Sequence, residues 1–586
     1  MHIIFEKKQN GACMNEKIEN ILNLSIMADN EIKNKSRELQ IGYDFKDKTW
    51  DLILRYRGEG EFLFEYDTNA KILSGGYAIV NVNENRIDEL ASREQVLFIE
   101  KPKALFYEVT NGIRVSCITP IQNNYGLFGE GTIAGIIDSG IDYYNDAFLD
   151  ENGETRIVEI WDQTKTVRKP ENSFMGVGEI FGREQINESI FENNRDNAIV
   201  NDSSGHGTHV AGIVAGNFAS DKRNNVGIAT QSEIIVVKLD DFKNGFPRTT
   251  ELMLAIEYLA NRAEYYNKPM AVNISFGNNY GSHDGTSLLE TYIDYMCDRE
   301  GISIVVGSGN EGDASGHTFI SVTRGESITS EFSVGDFEKS LGLQMWKNYV
   351  DDISLKIITP EFNTVSIPNV KNEALNLKAG KHVFFIYFGT PKPYSRFQEI
   401  YVDITSEDDY LTHGIWQLEI TGINIVQGNI DIWMNSSALL NAVTGFLNPS
   451  PDTTLTIPST SNKVITVGAY NTLTDTVAAF SGRGYTREIN MVKPDLVAPG
   501  VGVVSAAANG TIEERTGTSM ATPFVTGSAL LLMEWGIVKG NDMFMYGEKV
   551  KATLLKGARK LNAYEQYPNK SAGYGALCLN RSLSEI

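Results

Sequence analysis

At 586 residues the chain is too long for one ordinary domain, and two to four are expected. Its 52 Lys and Arg against 75 Asp and Glu leave a net charge of −23, which argues against nucleic acid or an anionic membrane as a main partner. A hydrophobic content of 42% can support sizeable cores.

The N-terminal stretch MHIIFEKKQNGACMNEK lacks the apolar centre of a secretory signal, which predicts cytoplasmic synthesis. Residues 1–45 are polar, with one short helix expected before Leu39. From there Trp50, Leu52, Leu54 and Tyr56 alternate at period two, the pattern of a half-buried strand. A second strand, 77–82, a helix over about 85–94 and a strand over 96–100 complete a small α+β unit. Residues 101–118 read as a linker, with Asn111-Gly112 as an exposed turn inside it. The nearly continuous apolar run 133–137 predicts a parallel strand covered on both faces, ending at Asp138, where open α/β sheets place their sites. Asp142, past the turn, reads as structural. Residues 150–200 are charged and are expected to be irregular surface loops. His206 opens a small-residue helix, HGTHVAGIVAG, in which His209 is expected to pack into the core.

A strand over 234–239, an amphipathic helix over 250–263 and a strand over 271–276 follow, the last running into Ser275, Phe276 and Gly277. The strand 302–306 leads to Asn310 in VVGSGNEG. Between about 313 and 454 the pattern changes to short alternating strands, such as 383–388, 399–404, 415–420 and 429–434. Trp416, Leu418 and Ile420 share one face, and the stretch predicts an inserted all-β sandwich or jelly roll. The α/β pattern resumes near Leu455 with a strand over 464–469, then KPDLVAPG (493–500), GTSMATP (517–523), a helix to Trp535 and another over 548–557. No apolar run approaches the ~18 residues of a membrane-spanning helix. Cys13, Cys117, Cys297 and Cys578 are scattered with no CxxC pair, which predicts separate reduced thiols.

GTSMATP places Ser519 between small residues just ahead of a long apolar helix. The free N–H groups and dipole of a helix N-terminus favour developing negative charge. Alone, such a serine has the helix cap as its other reading. A nucleophile needs a base in reach, and the chain carries the remaining parts in the order Asp138, His206, Asn310, Ser519: acid, base, oxyanion donor, nucleophile. On these four motifs the chain resembles the subtilisin-like serine proteases. That resemblance implies an α/β parallel-sheet catalytic domain in two parts, 112–312 and 455–586, with an N-terminal α+β prodomain over 1–111 and an inserted jelly-roll-like β domain over 313–454. It implies that Ser275, Phe276 and Gly277 pair with extended substrate and border the specificity pocket. It also implies a prodomain that assists folding, whose tail lies in the cleft, and self-cleavage between Tyr107 and Ser116, beside Thr110 or Asn111. The chemistry requires no metal or cofactor, and no loop shows a clear calcium-ligand pattern.

The prodomain, complete triad, large β insertion and lack of a signal, with IWDQT (160–164) and SCI (116–118), resemble the clostridial spore germination proteases called Csp. This implies a spore-associated enzyme that cuts the inactive precursor of a cortex lytic enzyme, with its prodomain retained non-covalently. Two other readings stay open. A general intracellular protease would cleave unfolded casein broadly, and a catalytically silent germination-signalling protein would ignore a serine-directed phosphonate.

Overall fold

The computed structural model describes residues 15, 17–28, 30, 33, 42–73, 76–102, 109–218, 227–239, 247–368, 374–391, 395–487 and 491–584. The chain forms two compact units, Met1–Phe106 and Tyr107–Ile586. The division falls just before the boundary at 111, and the inserted β domain belongs to the second unit.

In the first unit Thr49–Tyr56 alternates as expected, burying Trp50, Leu52, Leu54 and Tyr56 on one face. It pairs antiparallel with Tyr43–Asp44, Tyr77–Asn83 and Val96–Glu100, and Lys71–Leu73 adds to the edge of Tyr77–Asn83. The helix Ile87–Ser92 lays Ile87, Leu90 and Ala91 on that face, and Asn20–Met27 adds Leu22.

The second unit is built on a sheet of nine strands among the described residues: β1 (Ile133–Asp138), β2 (Ile157–Asp162), β3 (Glu179–Gly182), β4 (Glu233–Lys238), β5 (Met270–Ile274), β6 (Ile302–Gly307), β7 (Ile465–Asn471), β8 (Thr476–Val477) and β9 (Leu496–Pro499). Their order is β8-β7-β6-β5-β1-β4-β2-β3, with β9 also on β7. The inner pairs are parallel, so β1, β5 and β6 all end on one edge, and the order reverses at β1, where α/β sheets open a crevice. Helices α1 (His206–Ala215), α2 (Thr249–Tyr266), α3 (Leu288–Met296) and α4 (Thr518–Met533) cover the faces.

Four expectations fail here. Residues 150–200 are not all loop: they hold β2, β3 and the helix Arg183–Glu192. The pattern IVEIWD hides its strand because Glu159 is buried, ion-paired to Arg262 and hydrogen-bonded by Tyr258 and Tyr266 at 2.6 and 2.8 Å. Trp161 is buried beside it. Asn111-Gly112 is not a turn, since Val109–Val115 is helical. Gly112 is buried against α4, where an added Cβ would fall 2.6 Å from the Phe524 ring. The cysteines are not all separate: Cys117 and Cys578 form a disulfide across 461 residues, while Cys297 is free and buried. Spacing cannot show this pair, because the closing helix Leu579–Ser584 returns to the unit's first segment, with Leu579 and Asn580 donating N–H to the Ser116 and Cys117 carbonyls. Cys13 lies outside the described residues.

The run Thr518–Val538 is, by length and composition, apolar enough to cross a membrane, contrary to the reading that no stretch approaches that length. Of its most apolar 18 residues 83% are buried, and it packs as the central helix of the domain.

The insertion is two antiparallel sheets over one apolar core. One orders His317–Ser321, Asn429–Met434, Ser340–Asn348, Phe397–Ser406, His382–Phe388 and Ala374–Ala379, and the other Thr364–Ile367, Asp352–Ile358, Gly414–Asn424, Ser327–Val334 and Gly445–Phe446. Trp416, Leu418 and Ile420 do share the buried face. Trp433 ties the sandwich to the catalytic half by stacking between His283 and His317, at 4.1 and 4.5 Å. Burial pushes His283 down to about 4, so this stack holds a neutral ring.

The cross-link gives a direct check. Denatured, unreduced protein is expected to be two hydrogens lighter than reduced protein, and Cys578→Ser to lower stability by about 2–4 kcal/mol in a denaturant titration.

Candidate active site

Gly517 has φ 156° and ψ 165°, a backbone conformation essentially closed to any residue with a Cβ. It turns the chain into α4, so Ser519 sits in the first turn, where N–H groups lack intrahelical acceptors. Pro523, four residues on, has no N–H to give the Ser519 carbonyl. Ser275 Oγ donates to that carbonyl instead at 3.3 Å, and Ser519 Oγ donates to the Ser275 carbonyl at 2.9 Å. Asn273 on β5 adds a second link to α4: its Nδ2 donates to Ser275 Oγ at 2.8 Å, and its Oδ1 accepts from Thr526 Oγ1 of α4 at 2.9 Å. The nucleophile's helix is thus keyed to the end of β5 by buried polar side chains.

Asp138 closes β1 and is buried. Its Oδ1 lies 2.7 Å from Nδ1 of His206, the first residue of α1, and also accepts from the Ser139 N–H at 2.8 Å. A carboxylate on Nδ1 holds the proton there and leaves Nε2 as the basic nitrogen. The negative charge of Asp138 is the main cause holding His206 above the ordinary histidine range, against burial and the positive charge of Arg515.

Asp202 escaped the sequence reading. Its Oδ2 accepts from the N–H and Oγ1 of Thr208 at 2.8 and 2.6 Å, and its Oδ1 from the Gly205 N–H at 3.0 Å and Ser139 Oγ at 2.8 Å. It satisfies first-turn donors of α1 and links that helix to the residue after Asp138, fixing where His206 stands. An Asp shortly before a helix start was the available signal. Asp142 is structural as expected, accepting from Arg195 and the Gly510 N–H. His209 is likewise a core residue: its Nε2 faces the Val503 and Glu513 carbonyls at 3.1 Å each, and burial pushes it down to about 4.

Asn310 lies three residues past β6. Its Oδ1 accepts from the Thr518 N–H and Oγ1, both at 3.0 Å, so Nδ2 is the end left to donate, on an exposed side chain next to the start of α4. The following Glu311 is buried and accepts from Ser437 of the inserted sandwich, from Oγ at 2.9 Å and from N–H at 3.2 Å. The insertion therefore braces the turn that carries Asn310.

The strand β5 ends at Ile274, one step before Ser275. Ser275 is buried, Phe276 half-buried and Gly277 exposed, and among the described residues the backbone groups of Phe276 and Gly277 carry no hydrogen bond. Such an edge can accept an extended peptide by strand addition. Thr110 and Asn111 stand on the helix Val109–Val115 rather than in a turn. Among the described residues no three His, Cys, Asp or Glu side chains gather as a metal site.

The chain is similar to known proteins in sequence and fold. The Subtilase family matches residues 129–372 and 425–575, and the Csp protease B prodomain family matches residues 16–103. The CspB protease of Clostridium perfringens is similar in structure, at 36% identity and a TM-score of 0.74, over 81% of this chain and 96% of that one. The serine protease AprX of Bacillus subtilis is 39% identical over 154 residues, 23% of this chain and 32% of that protein. The PII-type proteinase of Lactococcus lactis is 23% identical over 497 residues, covering 75% of this chain. This chain spans about a quarter of that proteinase's length. With the geometry of Asp138, His206, Asn310 and Ser519, these matches show that the chain belongs to the subtilase family of serine proteases and carries a Csp protease B prodomain.

Proposed function

We propose that the protein is a serine endopeptidase in which Asp138, His206 and Ser519 form the triad and Asn310 completes the oxyanion hole. The observation that carries this is the 2.7 Å Asp138–His206 pair on the same sheet edge as the first turn of α4. In the resting arrangement Ser519 gives its proton to the Ser275 carbonyl. Peptide binding along Phe276–Gly277 brings a carbonyl to Ser519, and a turn about its χ1 hands the proton to His206 Nε2. Attack forms the tetrahedral oxyanion between Asn310 Nδ2 and the Ser519 N–H, and Asp138 stabilises the imidazolium. His206 then protonates the leaving amine, and water repeats the sequence on the acyl-enzyme.

The Csp-type prodomain and the similarity to the Clostridium perfringens protease support a narrower role: limited cleavage of the precursor of a spore-cortex lytic enzyme during germination, by a spore-associated enzyme. The Cys117–Cys578 disulfide favours an oxidising location for the mature protein. Self-cleavage between Tyr107 and Ser116 would free the prodomain covalently while leaving it bound. Because proteases take extended chain, cutting beside Thr110 or Asn111 requires the first turn of Val109–Val115 to unwind. A catalytically silent signalling protein is the second reading, and the Ser519–Ser275 hydrogen bond is the observation in its favour.

Intact-mass analysis separates the two. Wild type is expected to yield two co-purifying fragments split between 107 and 116, and Ser519→Ala to stay whole. If both stay whole, self-processing is wrong under those conditions and the silent reading gains ground. Asn310→Ala is expected to lower kcat by about 10²–10³-fold with a smaller effect on KM. The pH dependence has a definite sign: the base works neutral, and Asp138 favours its charged form. The acid limb of kcat/KM should therefore have its midpoint above the ordinary histidine value of 6.5. A midpoint below that value would contradict the pair.

A further inference from the structure

β5 and β6 run parallel with Ile274 paired to Val306, and beyond the sheet they continue as Ser275–Gly277 and Ser308–Asn310. These two segments wall a slot. A scissile carbonyl lying between Asn310 Nδ2 and the Ser519 N–H, on a chain running along Phe276–Gly277, directs the side chain on its acyl side into that slot. Gly277 and Gly309 leave both walls bare.

The floor is the first segment after the inserted sandwich. The Thr456 N–H donates to the Ser308 carbonyl at 3.1 Å, while Ile457 and Asn278 exchange backbone hydrogen bonds at 2.8 and 3.0 Å. One strand thus bridges both walls. The Thr456 side chain fills the gap between the glycines: an added Cβ at Gly277 would fall 2.6 Å from Thr456 Oγ1, and one at Gly309 2.5 Å from the same atom. Thr456 is itself 5% exposed.

We propose that Thr456 sets the specificity of the enzyme, restricting the residue on the acyl side of the scissile bond to Gly, Ala, Ser or Thr. The proposal rests on the proteolytic reading above. A phenylalanyl or leucyl side chain has to displace Thr456 or lift the scissile carbonyl out of the oxyanion hole. Within the self-cleavage window 107–116 the small residues are Thr110, Gly112 and Ser116, which favours the bond after Thr110 over the bond after Asn111.

The test is covalent labelling of the full-length protein, followed by intact mass, with two peptidyl diphenyl phosphonates that differ only in an alanine-like or phenylalanine-like group at this position. Wild type is expected to react with the alanine probe more than about tenfold faster, and Thr456→Gly to shrink that ratio by about tenfold or more. Thr456→Ser, which loses one methyl and keeps the hydroxyl, should move it the same way by a smaller factor, and it serves if the glycine variant does not fold. Faster labelling of wild type by the phenylalanine probe, or a ratio unchanged in the folded variant, overturns the role of Thr456 and leaves the protease reading intact. Failure of both probes on wild type overturns the protease reading, and this one with it.

Discussion

A carboxylate stands almost out of water at the end of the central strand, and much of the active site is arranged around its charge. Asp138 is 3% exposed. An unpaired buried charge is costly, so its hydrogen bonds from Ser139 and His206 are conditions of this fold as well as of its chemistry. The His206 bond fixes the tautomer and raises the ring's affinity for a proton. It also dictates where α1 begins, which makes Asp202 necessary: the helix must start with its imidazole against β1, and Asp202 satisfies first-turn donors in that position.

The other half of the site is set by α4. An almost wholly buried helix can deliver a polar nucleophile only at its end, and Gly517 and Pro523 shape that end. Buried Thr526, Asn273 and Ser275 then set the helix against β5. The β insertion enters after Asn310, at the end of one wall of the slot, and returns just before Thr456, on its floor. It leaves after bracing Glu311 through Ser437 and stacking Trp433 between two histidines. An element placed there touches both the oxyanion turn and the floor of the slot, so its contribution to the enzyme is local and mechanical.

Much of this was legible in the sequence, for identifiable reasons. Period-two alternation from Trp50 to Tyr56 and the apolar run of β1 report burial directly, as does the strand over 429–434. His206 and Ser519 could be placed because each opens a helix of small residues, a strong local signal. What stayed hidden was non-local. Glu159 looks like a loop residue until Arg262, Tyr258 and Tyr266 gather on it, and with it β2 disappears from view. The disulfide depends on the first and last segments of the second unit meeting across 461 residues. Gly112 reads as a turn until Phe524 packs against it. Thr456 carries no motif and gains its meaning only from two glycines far away in the chain.

The most direct test of the catalytic core is fluorophosphonate labelling of the full-length protein with peptide mapping, comparing wild type with His206→Ala and His209→Ala. A single adduct on Ser519, lost in His206→Ala and kept in folded His209→Ala, is the expected result. Labelling that falls on another serine, or that persists on Ser519 without His206, would contradict the assignment of base and nucleophile.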